Sequence, residues 1–273
     1  MSPKINLAIA YDFDGTLSPG NMQEYSLFSE LGVDKKDFWK EVKNKYTSPK
    51  DMDEILAYMY LLMLKMKNKG GLSRELFRKH GKRLTFFPGV ETWFGRINKF
   101  ADNLGIKLQH YIISSGLKEM IEASKIADEF DYIWASSFMY NNEGKAIWPA
   151  LAINYTTKTQ YLFRINKGVL NSFDNESINK FTPLHKRAVP FTNMIYLGDG
   201  DTDVPSMKIV MSQGGKSIAV YDKKLSGKEK QCKDLQLQSR VNYYAAANYY
   251  ENSELDILIK DILQHTSANY QIK

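Results

Sequence analysis

Four short apolar runs, each ending in a polar or glycine turn, constrain this chain most: "INLAIAYDF", "IKLQHYIIS", "TNMIYLGDG" and "KSIAVY". Runs that are apolar throughout, rather than alternating, are the pattern of strands buried on both faces. Helical patterns accompany them: "VETWFGRINKFADNLG", "GLKEMIEASKIADEF", "TKTQYLFRINKGVL" and "TDVPSMKIVMSQGG". This alternation predicts an α/β fold, a Rossmann-like parallel sheet covered by helices on both faces. "YIWASSFMYNNEGKAIWPALAIN" adds two strands joined at "NNEG", and "SELDILIKDILQH" a last helix. Before that helix, "NYYAAANYY" invites a base-stacking role, but no basic stripe accompanies it, so packing is expected.

The alternation breaks once. From Asn21 to about Lys82 no strand pattern occurs. "DKKDFWKEVKNKY", "SPKDMDEILAYMYLLMLKMKNKGG" and "SRELFRKHGKRL" all read as helices. The middle one is predicted to begin at an N-cap Ser48, with Pro49 at the first helical position, Asp51 in the first turn and glycines at its end. Its Met and Tyr residues recur at helical spacing and read as cap core. The expected organisation is an all-helical cap domain at 19–88, inserted after the first strand into a catalytic core formed by 1–18 and 89–273. A chain of 273 residues is long enough for a core with an insertion.

Composition narrows the setting. The 43% hydrophobic and 25% charged shares are those of a soluble globular protein. The N-terminus carries no basic-then-apolar leader, and no apolar run approaches the ~18–20 residues of a membrane span. One cysteine, Cys232, cannot form an internal disulfide and reads as a reduced thiol. A cytoplasmic protein with no membrane or nucleic-acid partner is expected. The net charge of +6 is modest and dispersed. His80, His110, His185 and His265 show no metal-ligand spacing and read as structural.

In a parallel sheet, ligands bind beyond the carboxyl ends of the strands. Asp12, Asp14 and Thr16 follow the first strand, and Ser114, Ser115 and Gly116 the second. Lys158 opens a helix, and Gly198, Asp199, Gly200 and Asp203 follow a further strand. Carboxylates gathered on one rim repel each other by roughly 4 kcal/mol per pair at ~4 Å and an effective dielectric of ~20. A cation removes that cost, and oxygen-only ligands with a phosphate nearby favour Mg2+. A calcium loop starting at Asp12 is excluded by its ligand places, which hold Thr16 and Gln23.

"DFDGT", the run ending in "IISS", a downstream lysine and "GDGDTD", in that order, resemble the four motifs of the haloacid dehalogenase-like superfamily. The helical insertion is similar to the cap of its phosphoserine phosphatase-like branch. The resemblance implies a hydrolase acting on a small phosphomonoester. Asp12 would be the nucleophile that forms an aspartyl-phosphate, and Asp14 the general acid and then base. Asp12, the backbone carbonyl of Asp14, and Asp199 would bind the metal, supported by Asp203. Thr16, Ser114, Ser115 and Gly116 would hold the phosphoryl group, and Lys158 would neutralise charge, with Lys167 as its rival. Phosphotransfer or mutase chemistry on the same phosphoenzyme is the nearest alternative. A non-catalytic phospho-acceptor is the alternative from another class; it would not need Asp14. In the phosphoserine phosphatases a glutamate nine residues beyond the nucleophile recognises the substrate amine; here that place holds Asn21, with Glu24 one turn further. A dedicated phosphoserine phosphatase is therefore an alternative and not the expectation.

Overall fold

The first apolar run forms β1 (Ile5–Tyr11). In the computed structural model, which describes residues 5–271, β1 is the middle strand of a seven-stranded sheet. The others are β2 (Ile106–Leu117), β3 (Tyr132–Tyr140), β4 (Ala146–Leu151), β5 (Met194–Gly198), β6 (Lys216–Tyr221) and β7 (Tyr243–Ala246). Their order is β4-β3-β2-β1-β5-β6-β7. Every neighbouring pair is parallel except β3 with β4, which form the hairpin predicted around "NNEG". Along β1, Leu7, Ile9 and Tyr11 enter one buried cluster, while Ala8 and Ala10 enter the other. Burial on both faces is why the run shows no polar alternation.

Register places the site. Tyr11, the last residue of β1, pairs with Ile112 of β2 on one side and Leu197 of β5 on the other. The chain runs from β1 to β2 in one direction and later returns to β5 in the other. The crevice at this reversal collects the ends of all three strands.

The helices, in chain order, begin with α1 (Leu27–Leu31), α2 (Lys35–Glu41), α3 (Ser48–Lys50), α4 (Glu54–Met66) and α5 (Arg74–Gly81). A π-helical turn, Val42–Thr47, links α2 to α3. These elements stand between β1 and α6 (Val90–Asn103). Their apolar residues, among them Phe28, Phe38, Tyr58 and Phe77, belong to the same cluster as Leu7 and Ile9 of the sheet. The remaining helices are α7 (Lys118–Ile121), α8 (Lys158–Lys167), α9 (Asn175–Asn179), α10 (Val204–Ser212), α11 (Lys228–Leu237) and α12 (Glu254–Gln271). Among the described residues, no helix is long and apolar enough to cross a membrane.

Local chemistry departs from the sequence expectation at four places. The long cap helix starts at Asp53, whose carboxylate accepts from the N–H groups of Ile55 and Leu56. The expected start at Ser48 yields only α3, because Asp51 turns left-handed at φ 50° and ends it. "GLKEMIEASKIADEF" gives the single turn α7 and a 3-10 turn at Ala127–Glu129 instead of one helix. There Glu119 is buried, and its Oε1 accepts from Phe138 N and Tyr140 OH. "NYYAAANYY" contains β7, an edge strand whose Ala245 and Ala246 are buried. Cys232 is buried too, on α11, a helix its Lys/Gln-rich sequence did not announce.

Candidate active site

Asp12 stands one residue beyond β1, its N–H donating to Leu197 O of β5 at 2.8 Å. Asp12 is 5% exposed, and its carboxylate meets the Lys158 ammonium at 2.8 Å. Lys158 opens α8, is 1% exposed, and is 2.7 Å from Asp203 Oδ1 as well. Asp203 is fully enclosed: Tyr196 OH donates to Oδ1 at 2.7 Å, and Asp199 N donates to Oδ2 at 3.2 Å. Tyr196 thus fixes Asp203 from within β5, and Asp203 fixes both the lysine and the loop that carries Asp199.

Carboxylate oxygens of Asp12, Asp199 and Asp203 all lie within 4.8 Å of one another. Three carboxylates face one ammonium here, a deficit that a divalent cation makes good. Burial raises the Asp12 carboxyl to about 7; Lys158 opposes the shift, and Asp203 and Asp199 add to it. Burial and then Asp203 raise Asp199 to about 6. The donor set is all oxygen, which fits a hard ion such as Mg2+. Asp12, Asp199 and Asp203 are the carboxylates that could hold it, Asp203 with both oxygens already accepting hydrogen bonds from the protein.

Asp14 faces the same crevice. Its Oδ1 accepts from Met22 N at 3.0 Å, in the 3-10 turn Met22–Glu24 that leads into the cap. Burial, followed by repulsion from Asp12, lifts its carboxyl well above the usual range. Gly15, directly after Asp14, is obligatory on two counts. Its φ is 75°, and a Cβ there would stand 2.3 Å from Asp199 Oδ2.

On the β2 side, Ser114 is buried and its Oγ accepts from Gly116 N at 3.0 Å. Ser115 O accepts from Tyr58 OH of α4 at 2.8 Å, which ties the cap to this loop. A Cβ on Gly116 would meet Met22 Cε at 2.2 Å. A cavity of about 480 Å³ opens here, and Asp12, Asp14, Ser114, Gly116, Lys158 and Asp199 all line it.

One expected position falls elsewhere, and so does the rival lysine. Thr16 is completely buried, does not line the cavity, and its carbonyl accepts from Tyr249 OH at 2.9 Å. The cause is the tight turn at Phe13, whose carbonyl accepts from the N–H groups of Thr16, Leu17 and Ser18 and folds Thr16 inward. Lys167 points away from the crevice and donates to the carbonyls of Ile178 and Lys180.

No family model matches the chain. An uncharacterised protein of Borreliella burgdorferi is 32% identical over 277 residues, covering 91% of this chain and 93% of that protein, so the two belong to one family. Among solved structures, a HAD family hydrolase from Salmonella enterica subsp. enterica serovar Typhi superposes with a TM-score of 0.60 at 16% identity, over 96% of this chain and 73% of that one. A phosphoserine phosphatase captured as a phospho-aspartyl intermediate analogue gives 0.56 at 18% identity, over 94% and 99%. The chain has the haloacid dehalogenase-like fold, in its phosphoserine phosphatase-like form.

Within this haloacid dehalogenase-like frame, several site residues escaped the sequence reading. Tyr196 is a polar-tipped residue in an otherwise apolar strand, and that is a signal for a buried hydrogen-bond partner. Gln23, Trp39, Glu54, Tyr58 and Tyr155 also line the cavity. The cap aromatics carried no signal, since aromatic residues at helical spacing look the same in a core and in a pocket wall.

Proposed function

We propose that this chain is a Mg2+-dependent phosphatase that hydrolyses a small phosphomonoester through an aspartyl-phosphate on Asp12. The observation that carries the reading is the pairing of Asp12, held by Lys158, with Asp14 two residues on and hydrogen-bonded to the cap. Asp12 and Asp199, with Asp203 beside them, would hold a Mg2+, which would supply positive charge for the phosphoryl oxygens.

An Asp12 carboxylate oxygen attacks phosphorus while the bond to the ester oxygen breaks. Lys158 opposes the burial that raises the Asp12 carboxyl and offsets its repulsion toward the phosphate. The raised carboxyl of Asp14 carries a proton and gives it to the departing oxygen. Asp14, now a carboxylate, takes a proton from water. The water oxygen attacks phosphorus, and Asp12 and inorganic phosphate are released. Ser114 accepts from Gly116 N, so its own hydroxyl proton is available to a phosphoryl oxygen. A non-catalytic acceptor would have no use for Asp14.

The test is hydrolysis of a phosphomonoester panel with Mg2+ and with chelator, followed by borohydride reduction of the quenched enzyme. Homoserine at position 12 is the expected product. Turnover without that product, or with label at another residue, sinks the covalent mechanism.

A further inference from the structure

The cap side of the cavity has an unusual donor and acceptor balance. Trp39, Tyr58 and Tyr155 line it, together with Gln23 and Glu54. Each ring has its polar hydrogen already committed. Trp39 Nε1 donates to Glu24 Oε1 at 2.7 Å, Tyr58 OH to Ser115 O at 2.8 Å, and Tyr155 OH to Glu54 Oε2 at 3.0 Å. The rings therefore line the cavity as aromatic carbon with no further N–H or O–H donor to give a ligand. Two of the three donate to a carboxylate, which pushes negative charge toward the ring. Trp39 and Tyr58 stand edge to face, with centroids 5.8 Å apart.

What remains on this wall is acceptor character. Gln23 is 3% exposed and its Oε1 has no partner. Glu54 sits at the mouth of the cavity with an ionisable carboxylate. Among the described residues, no lysine, arginine or histidine of the cap lines the cavity. Lys228 lines it on the core side, where its charge acts on Asp199. A leaving group bearing a carboxylate or a second phosphate finds no counter-charge under the cap. A sugar finds acceptors but few donors. A cation sheathed in carbon finds what it requires: aromatic surfaces, a carboxylate and a spare amide oxygen.

Resting on the phosphatase reading above, we infer that the leaving group is a cationic amino alcohol, so that the substrates are phosphate monoesters of the phosphocholine and phosphoethanolamine type. Trp39, Tyr58 and Tyr155 receive the ammonium group, and Glu54 and Gln23 supply the negative side of the site. Glu24, one turn beyond the amine-reading place of phosphoserine phosphatases, does not line the cavity; it acts from behind Trp39, shared with Asn21 Nδ2 at 2.8 Å. In the reaction the P–O bond breaks, the amino-alcohol oxygen takes the Asp14 proton, and the ammonium group is unchanged.

The experiment compares kcat/KM for phosphocholine with that for 3,3-dimethylbutyl phosphate, which has carbon in place of nitrogen. L-Phosphoserine and p-nitrophenyl phosphate are run beside them. Phosphocholine is expected to exceed its uncharged isostere by about tenfold or more, the size of a desolvated cation–aromatic contact. Trp39→Leu and Glu54→Gln are each expected to lower that ratio, by about threefold or more. Because the readout is a ratio within one protein, partial loss of folding does not disturb it. Hydrolysis of p-nitrophenyl phosphate with a ratio near one, or favouring the isostere, overturns the cationic substrate and leaves the phosphatase standing. A high ratio that neither variant lowers overturns the assignment to this wall. Failure to hydrolyse any ester removes the phosphatase reading and this inference with it.

Discussion

Met22 N donates to Asp14 Oδ1 at 3.0 Å, so the first turn of the cap holds the carboxyl that Phe13 alone separates from Asp12 along the chain. An amide oxygen can accept the same bond. Asp14→Asn is therefore expected to keep the geometry and lose the proton, slowing both chemical steps by ~10²–10⁴-fold. An aryl phosphate with an acidic leaving group needs no proton, and its first step should be spared. Single-turnover phosphorylation by aryl and alkyl phosphates checks this; equal losses would refute the role.

Asp12→Asn is expected to remain folded and to bind phosphate with Mg2+ while losing turnover, because an amide is a far poorer nucleophile. Near wild-type kcat in the purified variant would move the covalent step elsewhere.

Lys158→Met and Lys167→Met should separate cleanly. The first strips Asp12 and Asp203 of a buried partner and is expected to cost ~3–5 kcal/mol of stability together with the activity. The second removes only hydrogen bonds to the carbonyls of Ile178 and Lys180 and should leave the rate largely intact. Denaturant melts and rates on both variants decide it, and the reverse ranking would reassign the lysine.

Mg2+ is expected to raise the melting temperature, since it relieves repulsion that the folded state alone carries. At a hundred times its Kd the gain is about 2.7 kcal/mol. Asp199→Asn should shrink that shift while making the metal-free protein more stable, because one member of a crowded buried cluster becomes neutral. A metal-induced shift unchanged in Asp199→Asn would place the ion elsewhere.

His110 supplies a pH test away from the site. It is buried, with Tyr11 OH at 3.0 Å from Nδ1 and Asn98 Oδ1 at 2.9 Å from Nε2, and burial depresses its pKa to about 3. The unfolded chain takes up this proton near pH 6.5 and the folded chain only near 3, so stability falls as pH drops through that interval. Denaturant midpoints from pH 7 to 4 should decline less steeply in His110→Gln than in the wild type. Parallel slopes would show that the imidazole titrates normally.

Residue type and order made the strand ends legible: apolar runs gave the parallel sheet, and Asp12, Asp14, Ser114, Lys158 and Asp199 meet in one crevice as the topology requires. What escaped depends on contacts distant in sequence. Nothing local marks Glu119 as buried, because its partners Phe138 and Tyr140 come from β3. Tyr58 reads as core because nothing local shows that its hydroxyl reaches Ser115. Thr16 sits in a motif, yet turn geometry decides which way its side chain goes. Asp51 and Asp53 show the finer limit: either can cap a helix, and only the backbone angle at Asp51 selects between them.

The apolar cluster that runs from Leu7 and Ile9 through Phe28, Phe38 and Phe77 has a consequence for how this protein could be re-engineered. Lids that touch a core only through a hinge can be exchanged between relatives as cassettes. This one shares its interior with the sheet, so a transplanted cap would leave Leu7, Ile9 and Tyr11 facing mismatched partners. Chimeras cut at the cap boundaries should fail to fold, whereas point changes on the cavity wall remain open routes to new selectivity.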